Sequence, residues 1–326
     1  MYKYKLQEVV ILCVTSMVLA GAVRGAETYR LERSGEWKNL TDKDKYLSAA
    51  ANIKQLVSMG QTKEVKIALE QLKKDFPEVA GPDLDAFMKA EMLFAKGKYT
   101  KAVRGYDAFM SKYPESGLYE AAMDREFAIA TAYLGGVKRT ILGIFRIRAY
   151  EEGEKIMDKI IDRSGNTPIA QKAALAVAES YEKRKKFNEA YLRWSDTSSR
   201  WPSGKIGEDA LLSMARCKHA AYRGPKYDVS GVVSAKSYYE NFQQRYPKDA
   251  EELKIGEKLK QINEQLAYKQ YETGRYYEKA GSIEQANFYY QMVLSDWPQS
   301  KAAKMIEQAK AQKTEPQSAK TKAQNG

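Results

Sequence analysis

Between residues 268 and 298 the apolar and small side chains fall into two helical stripes separated by a turn. Ala267, Gly274 and Tyr277 share one face of the first stripe, and Ala286, Tyr290 and Val293 share one face of the second. Gly281 and Ser282 interrupt the first pattern. Pro298 has no backbone N–H with which to continue a helix, so it ends the second. The spacing predicts a helical hairpin in which small residues sit where the helices touch and tyrosines fill the space beside them. One such hairpin cannot bury its apolar face alone, so neighbours of the same kind are expected.

They recur along the chain. The order of small and large residues, with Gly-x-x-Tyr before the turn and Ala-x-x-x-Tyr after it, follows the tetratricopeptide (TPR) pattern of about 34 positions. A first repeat carries Leu56, Gly60 at the turn, then Val65, Leu69 and Leu72, and closes at Pro77. The second carries Ala90, Leu93, Gly97 and Tyr99, then Ala102, Tyr106 and Phe109, and closes at Pro114. In the third, Ala128, Ala130 and Tyr133 lead to Leu134-Gly135-Gly136 and an insertion, VKRTILGIFRIRA, before Gly153, Met157 and Ile160 resume the pattern. The fourth holds Ala178, Tyr181, Phe187, Ala190, Trp194 and Pro202. The fifth has an Ala-rich helix over 210–222, a loop RGPKYDVSG, then Ala235, Tyr239, Phe242 and Pro247. A run from Ala250 through Leu253, Leu259, Ile262 and Leu266 predicts one extended first helix for the sixth, and Ala302, Ala303 and Ile306 offer a narrow capping side.

The expected fold is all-α, a TPR-type helical-hairpin solenoid of about six repeats over 44–313 with an insertion at 135–149. An extended lead-in at 26–43, with Trp37 as a plug on the first hairpin, precedes it. A disordered polar tail at 314–326 follows.

Composition agrees with a helix-rich protein: 326 residues, 44% hydrophobic and 29% charged, with 9 prolines. The one long apolar run, at 9–22, argues against a multispan membrane protein. Lys3 and Lys5 precede it, and Ala20-Gly21-Ala22 or Val23-Arg24-Gly25 follow as cleavage sites, so residues 1–25 read as a signal peptide and the mature chain as periplasmic. The alternative is an uncleaved anchor. Cys13 lies inside the apolar run with Leu12 before it rather than a small residue, so no lipidation is expected. Cys217 then stands without a disulfide partner, on the same pattern as Leu211, Met214 and Ala215, as a small buried hydrophobe. The net charge of +12 favours acidic partners, anionic membrane surfaces among them. The cations are spread over many helices without a binding motif, so nucleic acid is not an expected partner.

The C-terminal residues carry a family resemblance. The stretch AKSYYENFQQRYP from Ala235 to Pro247, the long helix after it, Tyr276-Tyr277 before Gly281, and Ala286 to Tyr290 up to Trp297-Pro298 together resemble the BamD family, also called YfiO or ComL. Its members are TPR subunits of the machinery that inserts β-barrel proteins into bacterial outer membranes. The resemblance covers about residues 44–305. It implies a non-catalytic scaffold whose partners are other envelope proteins: a barrel-assembly complex and unfolded outer-membrane proteins. The chain departs from the family pattern at the missing lipidated cysteine and at the insertion in repeat three, so outer-membrane association is expected through partners. The alternative is a periplasmic TPR adaptor for another envelope process, such as cell-wall or division coordination.

No catalytic constellation emerges, and an enzyme is not expected. His219 is the sole histidine, which removes histidine acid–base pairs and multi-histidine metal sites, and it reads as structural or solvent-facing beside Lys218. Gly135-Gly136-Val137-Lys138 lacks the spacing of a phosphate loop. No cofactor or metal is expected. Two binding candidates remain. First helices of TPR stacks line a groove, and the register places Leu84, Phe87 and Phe94 of repeat two and Phe127 of repeat three along it. Such a cluster suits an extended apolar peptide, and the same rings would serve equally as core under repeat one or Trp37. In the insertion, Lys138, Arg139, Arg146 and Arg148 surround Ile141, Leu142, Ile144 and Phe145. That pattern suits a partner protein or peripheral contact with an anionic membrane. Its alternative is an inter-helix loop whose apolar residues pack back on repeats three and four.

Overall fold

The computed structural model describes residues 29–31, 37–39, 42–77, 81–141 and 145–322. It is an all-α protein in which helices pack in successive neighbouring pairs. Two compact units divide at Lys98/Tyr99, between the two helices of repeat two.

In the first unit, β1 (Tyr29–Leu31) and β2 (Trp37–Asn39) pair antiparallel, so the expected extended lead-in contains a short two-stranded ribbon. The Trp37 side chain, and with it the expected plug contact, lies outside the described residues. Helices α1 (Asp42–Ser58) and α2 (Thr62–Asp75) turn at Gly60, whose φ of +69° is in the left-handed region that a Cβ disfavours. Val65, Leu69 and Leu72 recur one and two turns apart on α2 and are buried, as are Ile53 and Val57 of α1. Tyr46 meets Phe76 edge to face at 5.7 Å. Helix α3 (Pro82–Ala95) starts with proline at its first position and buries Leu84 and Ala90.

The second unit begins with α4 (Tyr99–Lys112) and α5 (Tyr119–Leu134), then β3 (Lys138–Ile141) and β4 (Phe145–Arg148). Helices α6 (Tyr150–Ser164), α7 (Pro168–Lys183), α8 (Phe187–Arg200), α9 (Gly204–Ala220) and α10 (Ser230–Arg245) follow. The unit closes with α11 (Pro247–Glu252), α12 (Ile255–Lys279), α13 (Ile283–Asp296) and α14 (Lys301–Lys322). The small residues have the role their spacing predicts. Ala102, Ala190 and Ala286 are buried, and a Cβ on Gly274 would come within 2.6 Å of the Tyr290 ring. A Cβ on Gly153 would come within 2.9 Å of the Ala130 carbonyl oxygen, so α5 and α6 approach by backbone. The α7–α8 turn holds Lys185 at φ +59°, the conformation that Gly281 takes at +79° between α12 and α13.

Three expectations change. The insertion is an antiparallel hairpin, with Lys138 opposite Arg148 and Ile141 opposite Phe145, because FRIR alternates with a period of two and Thr140, Ile141, Phe145 and Ile147 are β-formers. The run from Ala250 is not one helix: α11 ends at Glu252, Lys254 adopts φ +54°, and α12 starts at Ile255. Both segments anchor separately, through buried Ala250 and buried Ile255, and the left-handed residue lets the chain bend between them. Helix α14 runs to Lys322, into the stretch read as a disordered tail. Ala302, Ala303 and Ile306 dock its first turns, and a helix already nucleated extends readily through Ala, Lys, Gln and Glu, continuing past Pro316 at the loss of one backbone hydrogen bond. The signal peptide, its cleavage sites and Cys13 lie outside the described residues.

Candidate functional site

In the second unit α5, α7, α9 and α12 are the first helices of repeats three to six. Small residues on one side of each turn toward the following helix, which leaves the other side to face outward. Between α7 and α9 this outward side forms a cleft of about 500 Å³. Leu175, Glu179, Glu182 and Lys183 of α7 line it from one side, at the three- and four-residue spacing of a single helix face. Asp209, Leu212, Ser213 and Arg216 of α9 line it from the other, and the buried Trp194 of α8 lines it from within.

Glu182 is the hub of this cleft. Its carboxylate accepts hydrogen bonds from Trp194 Nε1 at 2.7 Å, from Arg216 Nη2 at 2.8 Å and from Cys217 Sγ at 3.2 Å. These bonds tie α7, α8 and α9 at one point and hold the walls in one arrangement. Burial, and then Glu182, push the Cys217 thiol far up, so Cys217 is a protonated core group at neutral pH rather than a nucleophile. What remains accessible is an apolar centre, Leu175 and Leu212, between Glu179 and Asp209 on one hand and Lys183 and Arg216 on the other. Such a surface suits an extended segment carrying an apolar anchor with polar flanks. Sequence reasoning missed it. Its signal was present as the residues left over once Ala178, Ala210 and Met214 are assigned to the core.

Two charged networks brace the second helices. Arg163 of α6 donates to Glu126 of α5 at 2.9 Å and to Asp107 of α4 at 2.5 Å, and Lys159 of α6 donates to Asp107 at 2.9 Å. Glu126 is fully buried, and its Oε1 has no hydrogen-bond partner among the described residues. Burial, then the Asp107 charge, outweigh Arg163 and Lys159 and push Glu126 up to about 8. Burial also raises Asp107, but its hydrogen bonds to Arg163 and Lys159 win and hold it below the ordinary carboxylate value. In the second network Arg193 of α8 pairs with Glu154 and with Asp158 of α6, the latter at 3.0 Å, while Tyr181 of α7 donates to Glu154 at 2.6 Å. His219 meets Gln265 of α12 at 2.9 Å, and burial, ahead of that bond, pulls its imidazole below its usual value. It serves packing between α9 and α12.

The expected groove residues are placed as follows. Leu84 is buried in the core and offers no surface to a partner, because its turn of α3 faces inward. Phe87 and Phe94 of α3 are half-buried in the first unit; Phe127 of α5 is half-buried in the second. In the hairpin, Lys138, Arg146 and Arg148 are exposed, while Arg139 pairs with Glu152 of α6 at 3.1 Å. Ile144 and the Phe145 side chain lie outside the described residues. Among those described, no group of three or more His, Cys, Asp or Glu side chains is arranged to hold a metal, and no helix is long and apolar enough to cross a membrane.

Stacked helical hairpins with a cleft between consecutive first helices define a TPR-type solenoid, a class that binds proteins. A tetratricopeptide repeat model matches residues 86–116, and the YfiO model, described as outer membrane lipoprotein, matches residues 148–325. The second match covers more than half of the chain, and the protein belongs to the YfiO family. No curated protein matches it. Among solved structures, the type IV pilus biogenesis factor PilW is similar at 14% identity over 82% of this chain and 99% of that one, with a TM-score of 0.30. The apo form of RapI is similar at 10% identity over 82% and 89%, with a TM-score of 0.36. The human IFIT1 dimer is similar at 13% identity over 80% and 71%, with a TM-score of 0.24.

Proposed function

We propose that this chain is a non-catalytic scaffold of the bacterial envelope that helps to assemble β-barrel proteins into the outer membrane, and that it works from the periplasmic side. Membership of an outer membrane lipoprotein family carries this reading. The cleft between α7 and α9 supports it, since a preformed, partly apolar slot on a repeat stack is suited to hold an extended segment of another protein. Phe87, Phe94 and Phe127 serve as additional contacts on first helices. Association with the membrane is through partners.

Co-purification from native envelope with an α7–α9 cleft variant tests the proposal. The wild type is expected to bring down a transmembrane β-barrel protein that has periplasmic domains. Leu212→Asp places a charge at the apolar centre of the cleft and should weaken that capture by at least about tenfold, the scale of losing a central interface anchor. Leu192→Asp, at an exposed position of α8, should leave it unchanged. Capture of peptidoglycan-associated proteins in place of the barrel would identify another envelope process, and equal capture by both variants would remove the cleft from the site.

A further inference from the structure

The β3–β4 hairpin ends where the family match begins, so its role is separable from that of the matched helices. Its register divides the described side chains by charge. Lys138 lies opposite Arg148, and Arg146 is two positions before Arg148, so these three cations share one face. Arg139 lies opposite Ile147 on the other face, where Arg139 pairs with Glu152 of α6. Among the described residues, the ion pair between the hairpin and α6 is on the Arg139 face. Lys138, Arg146 and Arg148 are exposed, and among the described residues none of them forms an ion pair with an acid. Arg148 donates to the Tyr150 hydroxyl at 3.2 Å, which holds its side chain without neutralising it. Like charges directly opposite one another destabilise a strand pair, so an isolated hairpin gains nothing from this arrangement.

The same residues mark the open edges of the ribbon. The Ala149 N–H donates to the Val137 carbonyl at 3.3 Å, which sets the phase of the ladder. Arg139·Ile147 and Ile141·Phe145 are then the hydrogen-bonded pairs, and the N–H and C=O groups of Lys138, Thr140, Arg146 and Arg148 point outward. The sheet has two strands, and among the described residues no other backbone segment bonds to those groups. An edge that presents unpaired backbone groups is a template for another strand.

We propose that an outer edge of this hairpin takes up an extended acidic segment of a partner protein as a third strand, with Asp or Glu at every second position. The backbone supplies the pairing. The two-residue period then brings the acidic side chains onto the face of Lys138, Arg146 and Arg148, and leaves the intervening residues on the face of Ile147. This surface is on the insertion in repeat three and is independent of the α7–α9 cleft.

The test titrates the full chain with a labelled peptide that has Glu at three alternate positions separated by Thr and Val, and with a second peptide of the same composition whose three Glu are contiguous. The alternating peptide should bind more tightly. The Lys138→Glu/Arg146→Glu double variant should weaken it by at least about tenfold, since like charges then face each other across the interface. One of two proline variants should also weaken it, because each removes an outward N–H while sparing the internal ladder: Thr140→Pro on the β3 edge, or Arg146→Pro compared with Arg146→Ala on the β4 edge. Thermal melting of each variant at the wild-type temperature shows that the helical body is intact. Equal affinity for the two peptides, or no loss with either proline, overturns strand addition. Capture of phosphatidylglycerol vesicles with the same charge dependence, when the alternating peptide does not bind, also overturns it and assigns the face to a lipid surface.

Discussion

Glu126 shows how much one side chain depends on its surroundings. Its neighbours in sequence, Arg125 and Phe127, give no hint that it lies fully buried between Asp107 and Arg163. A carboxyl held up to about 8 in the folded state, against an ordinary 4.5, keeps its proton longer when folded than when unfolded. Its contribution is therefore complete below pH 4.5 and is lost as pH rises toward 8. Asp107 has the opposite sign, because its lowered value makes it stabilising above its ordinary 3.8 and lost only in stronger acid. Glu126→Gln is neutral at every pH. The melting temperature of the wild type relative to that of the variant should accordingly fall from pH 4.5 to 8, the other titrating groups being common to both. The upper bound on the slope is about 1.4 kcal/mol per pH unit. A wild-type profile parallel to that of the variant over this range would show that Glu126 titrates normally.

At the scale of an element, the small residues are set by neighbours rather than by helix propensity. Ala190 has no exposed surface and packs with Ala178, Trp194, Ala210, Met214 and Cys217. The Trp194 side chain is fixed through Glu182, so it has no room to retreat. Ala190→Leu should overpack this cluster and cost about 1 to 3 kcal/mol in denaturant unfolding, with Leu192→Ala on the exposed side of α8 as the control. No loss for Ala190→Leu would show that the α7–α8 contact is looser than its burial indicates. The register that identified Ala190 was legible because Ala-x-x-x-Trp repeats the spacing of Ala286 and Tyr290. The hairpin was only half legible: its charges were evident, but its alternation was read as an insertion between helices. Two strands of four residues are too short to stand out within a helical sequence.

For the whole molecule, the division at Lys98/Tyr99 is invisible in the repeat pattern, which runs through repeat two without a break. The second unit has its own sequence of cores: around Ala170 and Trp201, then Trp194, then Phe242 and Ile262, then Val293 and Ile306. Stability in such arrays is a sum over neighbouring interfaces, so a unit with several complete interfaces is expected to stand alone. A fragment over 99–322 should retain its helical circular dichroism and melt cooperatively. A broad, non-cooperative melt would show that its cores require residues 1–98.

The sequence by itself determined the local units. The periods of small and aromatic residues, the turn glycines and the closing prolines define helical hairpins, because each is a property of a few consecutive residues. They also sufficed for the resemblance to the family that the chain belongs to. Tertiary structure alone decided which leftover side chains meet. Leu175 and Leu212 are 37 positions apart and line one cleft, Glu182 collects donors from α8 and α9, and Leu84 turns inward while Phe87 and Phe94 remain half-buried. The physical reason is one of range. Periodicity states which face of a helix is apolar, whereas the partner of that face depends on how whole helices pack, and packing responds to the volumes and charges of residues remote in sequence.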